Sequence, residues 1–164
     1  MMLVCILPLI CSWAQHTPPA WEYEQDAINI NLNADKQLNF RDGTSHTLSV
    51  CVYQLTDPNT FHQLSNDTDG MYQLLDCSTF DAGVAATKRV IVRPNQALKV
   101  TLDRAEGAKY IAVVAGYYTM EKNKIVRFYK VPIKKKGIHR KSVPGKMEIN
   151  LVLGPKQILT PKGE

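Results

Sequence analysis

The sequence lacks any run of about 20 apolar residues, the length a helix needs to cross a bilayer. Its longest uncharged apolar stretch is residues 1–14, at the N-terminus. There is no Cys-x-x-Cys, no Cys/His cluster at metal-ligand spacing, no His-Glu-x-x-His, no Gly-x-Ser-x-Gly and no phosphate-cradling glycine loop. The four histidines (His16, His46, His62 and His139) have no partner at motif spacing. Asp67 and Asp69 before Gly70 start like half an EF-hand loop. No acid follows at the loop's last position, however, and Asp76 and Asp81 fall out of register. A solvated turn is expected there. Enzymes of this size usually betray a nucleophile with a base, a carboxylate pair or a metal set. These absences argue against catalysis and against a metal or cofactor, and favour a chain that works by binding.

What is present is mainly period two. At 164 residues, 45% apolar and 21% charged, the chain has the size and balance of one globular domain. Ile28, Ile30 and Leu32 alternate with Asn29, Asn31 and Asn33, as a half-buried strand requires. Leu48, Val50 and Val52 alternate with Ser49, Cys51 and Tyr53 in the same way. Strand-like runs follow at 88–93, 97–102, 109–118, 124–133 and 147–153, separated by turn signals such as Arg41-Asp42-Gly43, Pro94-Asn95, Glu106-Gly107 and Pro144-Gly145. Strands with short polar connections, and no alternating helices, predict an all-β fold: an antiparallel two-sheet β-sandwich. One interval breaks the pattern. Residues 56–83 read as a helical excursion, with Asp57-Pro58 as cap and first helical residue, Phe61 and Leu64 at helical spacing, and a second short helix at 71–77.

The N-terminus reads as an export signal spanning residues 1–14. A short apolar core precedes Ser12-Trp13-Ala14, which sets small residues at −3 and −1 of a cut before Gln15. Cys11 is a lipidation candidate, although Ile10 before it is bulkier than a lipoprotein peptidase prefers. Residues 15–26, with two prolines, read as a linker, residues 27–158 as the sandwich, and residues 159–164 as a tail. Export also bears on Cys51 and Cys77, which remain as a pair once the signal leaves and are expected to join in an oxidising compartment.

Charge is distributed unevenly. Residues 122–146 hold ten of the 20 Lys and Arg and no acid, so this stretch nets +10 while the remainder nets −5. Lys134, Lys135, Lys136, Arg140 and Lys141 form its densest patch. Such a block seeks an anionic partner, or else is a solvated hairpin tip. Export and the absence of an aromatic ladder argue against nucleic acid.

Several blocks in order carry a family resemblance. The run Val52-Tyr53-Gln54-Leu55-Thr56-Asp57-Pro58-Asn59-Thr60-Phe61 resembles the V-Y-Q-L-x-D-x-x-x-F signature of the TssJ (VasD/SciN) outer-membrane lipoproteins of type VI secretion systems. The likeness continues through residues 103–110, 111–118 and 149–158. It implies a transthyretin-like sandwich with a helical insertion, held in the periplasm on the inner face of the outer membrane when acylated. It also implies binding to the periplasmic C-terminal region of TssM, in a complex with TssL. The family's partner-binding loop corresponds to residues 34–46, with Leu38, Asn39, Phe40, Arg41 and Asp42 as contacts. A poor lipobox at Cys11 departs from the family pattern. The alternative from the residues alone is a free periplasmic binding module for a small ligand or an anionic envelope polymer, using the basic stretch.

Overall fold

The computed structural model describes residues 18–138 and 140–159. The expected signal, the lipidation candidate Cys11, the start of the linker and the end of the tail lie outside them.

Eight strands form two four-stranded sheets. They are β1 (Glu24–Ala34), β2 (Leu48–Leu55), β3 (Val84–Val92), β4 (Ala97–Arg104), β5 (Tyr110–Ala115), β6 (Val126–Lys130), β9 (Met147–Leu153) and β10 (Ile158–Leu159). One sheet runs β10-β9-β1-β4 and the other β3-β2-β5-β6. A separate two-stranded ribbon pairs β7 (Ile133–Lys136) with β8 (Lys141–Pro144). This is the all-β, two-sheet architecture that the period-two pattern implies. One pairing departs from the antiparallel rule, because β1 and β9 run parallel. They are far apart in sequence, so no hairpin turn dictates their relative direction.

The alternation in β1 shows how the sheets close. Ile28, Ile30 and Leu32 are buried, and the asparagines between them face outward. Ile30 sits beside Val100 on β4 and Ile149 on β9, so apolar rows run across three strands. Opposite them, Leu48, Val50 and Val52 of β2 align with Val92, Val90 and the β5 residues Val113 and Ala115. These two inner faces form the core.

The second sheet is buried on both faces, which explains why every residue of β5 after Tyr110 is buried. Its outer face is covered by the excursion between β2 and β3, which holds α1 (Asn59–Leu64) and α2 (Thr68–Leu75). Under the helices lies an aromatic cluster. Tyr53 packs on Phe61 and Phe80 at 5.9 and 5.6 Å, and Phe128 packs on Tyr110 at 5.4 Å. The Tyr53 hydroxyl donates to the Leu74 carbonyl at 2.6 Å, and burial pushes its pKa up to about 12. Cys51 and Cys77 are disulfide-bonded with Cα atoms 5.4 Å apart, which ties the end of the excursion to the strand it left.

Local details differ from the sequence reading in instructive ways. Helix α1 starts one residue later than Asp57-Pro58 suggests, with the Asp57 carboxylate accepting the Asn59 N–H at 2.8 Å. Helix α2 begins before residue 71, because Asp67 caps it by accepting from the Gly70 N–H at 2.9 Å. Gly70 is also where α2 crosses α1: a Cβ there would lie 2.2 Å from the Leu64 carbonyl oxygen. The run 124–133 is not one strand, since a helical turn α3 (Lys122–Ile125) precedes β6. Strand β3 starts at Val84 rather than 88, paired to β2 through an irregularity at Gln54/Leu55.

Candidate functional site

Loop 34–46 leaves the end of β1 and is held firmly at its base. Asp35 donates its N–H to the Leu153 carbonyl at 2.8 Å, Phe40 donates to the Pro155 carbonyl at 2.7 Å, and His46 donates to the Leu38 carbonyl at 3.0 Å. Leu38 is fully buried and plugs the loop into the core, so it is a packing residue and not a surface for contact. Asn39 is also buried, with a left-handed φ of 47° and its side-chain amide donating to the Thr47 carbonyl at 3.2 Å.

Beyond that plug the loop turns tightly. Asp42 and Gly43 have φ of 51° and 79°, the left-handed pair that a type I′ turn needs. Arg41 and Thr44 exchange two main-chain hydrogen bonds of 2.9 Å across it. The Asp-Gly signal therefore builds a miniature hairpin, exposed from Arg41 to Thr44, with Phe40 half-buried at its root.

Arg41 is held in place by two partners. Its guanidinium carbon lies 4.5 Å from the centre of the Tyr118 ring, and its Nε lies 3.3 Å from the Asp42 carboxylate. His46 stands edge-on to the same tyrosine at 5.6 Å. Tyr118 is half exposed, whereas its neighbour Tyr117 is buried. A cleft of about 390 Å³ opens between this loop, Tyr118-Thr119 and Pro155-Lys156. An exposed Arg stacked on an aromatic ring, beside apolar surface, is the composition that anchors protein–protein contacts. Tyr118 was not evident as part of this site from sequence, because nothing local to it signals the proximity of Arg41.

The expected basic patch is elsewhere. Lys134, Lys135 and Lys136 lie on β7, Lys141 on β8, and Arg140 in the turn between them, all exposed. Three other cations of the stretch have partners on the body of the domain. Arg127 donates to the carbonyls of Asn123, Val126 and Ile158, Lys122 donates to the Asn66 side chain at 2.7 Å, and Lys124 pairs with Glu121 at 2.8 Å. The block charge read from sequence is thus divided, and its free part is concentrated in the ribbon.

The signature residues turn out to carry the fold. Tyr53, Leu55 and Phe61 are fully buried, and Gln54 is nearly so. The Gln54 amide donates to the Asp103 carbonyl at 2.8 Å and accepts the Ala105 N–H at 2.8 Å, joining β2 to the end of β4 in the other sheet. Among the described residues, no group of three or more His, Cys, Asp or Glu could hold a metal ion, and no helix is long and apolar enough to cross a membrane.

The family model described as Type VI secretion lipoprotein, VasD, EvfM, TssJ matches residues 26–155. Among solved structures, the chain is similar to the lipoprotein TssJ1 of the type VI secretion system from Pseudomonas aeruginosa. That match has 18% identity and a TM-score of 0.60, over 87% of this chain and 95% of that one. It is similar to Serratia marcescens Lip, a membrane-bound component of the type VI secretion system, at 18% identity and a TM-score of 0.64, over 84% and 98% of the two chains. A structure described as the TssM C-terminal domain from EAEC matches at 17% identity and a TM-score of 0.60, over 80% and 94%. At these identities the structural likeness establishes the fold. No curated protein matches the chain.

Proposed function

Because the chain belongs to the type VI secretion lipoprotein family, we propose that it is a scaffold of the trans-envelope complex. In this reading it sits in the periplasm at the inner face of the outer membrane, tethered through Cys11 when acylated. It binds the periplasmic C-terminal region of TssM in a complex that also holds TssL. The family is one of structural lipoproteins, and the role needs no reactive centre.

The observation that carries the reading is the end of the sandwich built by Arg41, Asp42, Phe40 and Tyr118. The loop is pinned by main-chain hydrogen bonds, so its guanidinium and aromatic ring are presented in one arrangement before any partner arrives. Preorganised anchors lose little conformational freedom on binding, which raises affinity without extra area. The similarity to a structure described by its TssM domain is further support.

The test is titration of the full chain with the periplasmic C-terminal fragment of TssM, by calorimetry. Arg41→Glu reverses an exposed charge stacked on Tyr118, and should weaken binding by about 2 kcal/mol or more, as loss of a central anchor does. Phe40→Ala should cost about 1–2 kcal/mol. If both variants bind TssM like the wild type, this loop is not the docking site. If the wild-type chain does not bind TssM at all, the scaffold reading fails.

A further inference from the structure

The β7–β8 ribbon stands apart from both sheets, and the docking loop does not use it. Its turn is built by Gly137 and Arg140, whose φ values of 76° and 49° close the hairpin. At this turn Ile138 is 97% exposed, and Ile133 at the ribbon's root is 47% exposed. The pairing of Lys134 with Val143 and Lys136 with Lys141 sets the side chains of Lys134, Lys136 and Lys141 on one face, with Lys135 on the other. Among the described residues, no acid forms an ion pair with any of these lysines or with Arg140. Lys135 Nζ donates to the Ser142 hydroxyl at 2.7 Å, which leaves its charge unneutralised.

Position adds a second, independent observation. The ribbon flanks the N-terminal segment: Ala20, Glu22 and Tyr23 line a cleft together with Lys136, Lys141 and Val143. Of the acids there, Glu24 is paired with Arg104 at 2.9 Å, and Glu22 is exposed. The chain thus emerges toward residue 18 beside the ribbon, at the start of β1. Loop 34–46 begins at the other end of that strand, whose 11 residues span about 35 Å. Basic ribbon and N-terminal segment share one end of the domain, and Arg41 stands at the opposite end.

From this arrangement we propose that the β7–β8 ribbon is a membrane-docking element that lies on an anionic phospholipid surface, with its cations at the phosphate headgroups and Ile138 inserted below them. A lone, fully exposed isoleucine ringed by cations suits an interface that is charged outside and apolar beneath. An acidic protein face would draw the lysines but would have no use for Ile138 standing free in solvent. The ribbon then orients the domain, so that loop 34–46 faces away from the bilayer and a tether at the N-terminus is not the only contact. The inference is separable from TssM binding, since it needs only lipid and different residues.

The test is flotation of the full chain with vesicles of phosphatidylcholine, and with vesicles holding about 30% phosphatidylglycerol, a surface that attracts basic segments. Residues 1–14 hold no Lys, Arg, Asp or Glu, and every variant shares them, so the readout is the ratio between the two vesicles and its change in the ribbon variants. The wild type should prefer the anionic vesicles by at least tenfold in partition, a preference lost at about 1 M salt, where screening lengths fall to about 3 Å. Each lysine near such a surface strengthens binding by about fivefold, so Lys134→Glu with Lys135→Glu and Lys136→Glu should abolish the preference. Ile138→Ser should lower anionic binding by about tenfold while leaving the charge unchanged. Circular dichroism of each variant establishes that the sandwich is intact; the exposed ribbon positions make that the expected result. Two results overturn the proposal: equal partition of the wild type into both vesicles, or an Ile138→Ser variant that binds anionic vesicles as the wild type does. The second result, together with competition by soluble poly-glutamate at similar affinity, would assign the ribbon to an acidic polypeptide instead.

Discussion

Replacing Gln54 by leucine tests whether the sandwich is clipped shut by one side chain. Gln54 is 6% exposed, and its amide makes two hydrogen bonds of 2.8 Å to the backbone around Arg104 in the opposing sheet. Leucine has a similar volume and makes neither bond. The Asp103 carbonyl and the Ala105 N–H then lose their partners, at about 1–3 kcal/mol for each group left unsatisfied. Asp103 is exposed and Ala105 half-buried, so water reaches part of this backbone. The lower end applies, about 2–3 kcal/mol in total. For a domain of this size that is a fall in Tm of roughly 5–10 °C. Gln54→Glu sharpens the test. An ionised carboxylate still accepts from Ala105 but has no proton for the Asp103 carbonyl, and burial disfavours its charge. Its folded-state pKa therefore lies above the ordinary glutamate value of about 4.3. The sign follows: that variant keeps its stability below about pH 4.3 and loses it as pH rises through the folded-state value. Urea unfolding at acid and neutral pH reads both variants. A cost below about 1 kcal/mol for Gln54→Leu, or a Gln54→Glu penalty independent of pH, would show that the clip is hydrated and contributes little.

Two further predictions concern stability. Removing the disulfide with Cys51→Ala and Cys77→Ala frees a 26-residue separation and should cost about 3–4 kcal/mol in urea unfolding under non-reducing conditions; a loss below about 1 kcal/mol would mean that the aromatic cluster alone holds the excursion. The Tyr23 hydroxyl, and after it the Asp26 N–H, hold the Asp103 carboxyl below its ordinary value. A lowered pKa contributes stability above the usual aspartate range that disappears as pH falls through the folded-state value. Tyr23→Phe should move the Asp103 titration upward by carbon-detected NMR, and an unchanged titration would refute the assignment.

How much was legible differs between elements for physical reasons. Period-two patterning marked β1 and β2, because each has one face in the core and β1 turns its other face to water. It misplaced the boundaries of β3 and β6. Strand β3 has the half-buried Ala85, Ala86 and Thr87 where an alternating pattern should be, and β6 follows a helical turn with no break in composition. The Arg41-Asp42-Gly43 turn was readable because Asp and Gly accept the left-handed backbone that its centre needs. The burial of Leu38 was not, since a leucine in a loop looks alike whether it plugs a core or greets a partner.

The amino-acid order alone therefore determined the class of fold, the helical excursion and the concentration of positive charge late in the chain. These follow from local periodicity, turn chemistry and composition, which act over a few residues. Only the tertiary structure decided that β1 and β9 run parallel, that Arg41 rests on Tyr118, and that Gln54 joins the two sheets. It alone separated the free cations of the ribbon from those bonded elsewhere on the domain, and set the ribbon and loop 34–46 at opposite ends of β1. Each of these is a contact between residues distant in sequence, and such contacts form only when buried apolar faces bring their strands together.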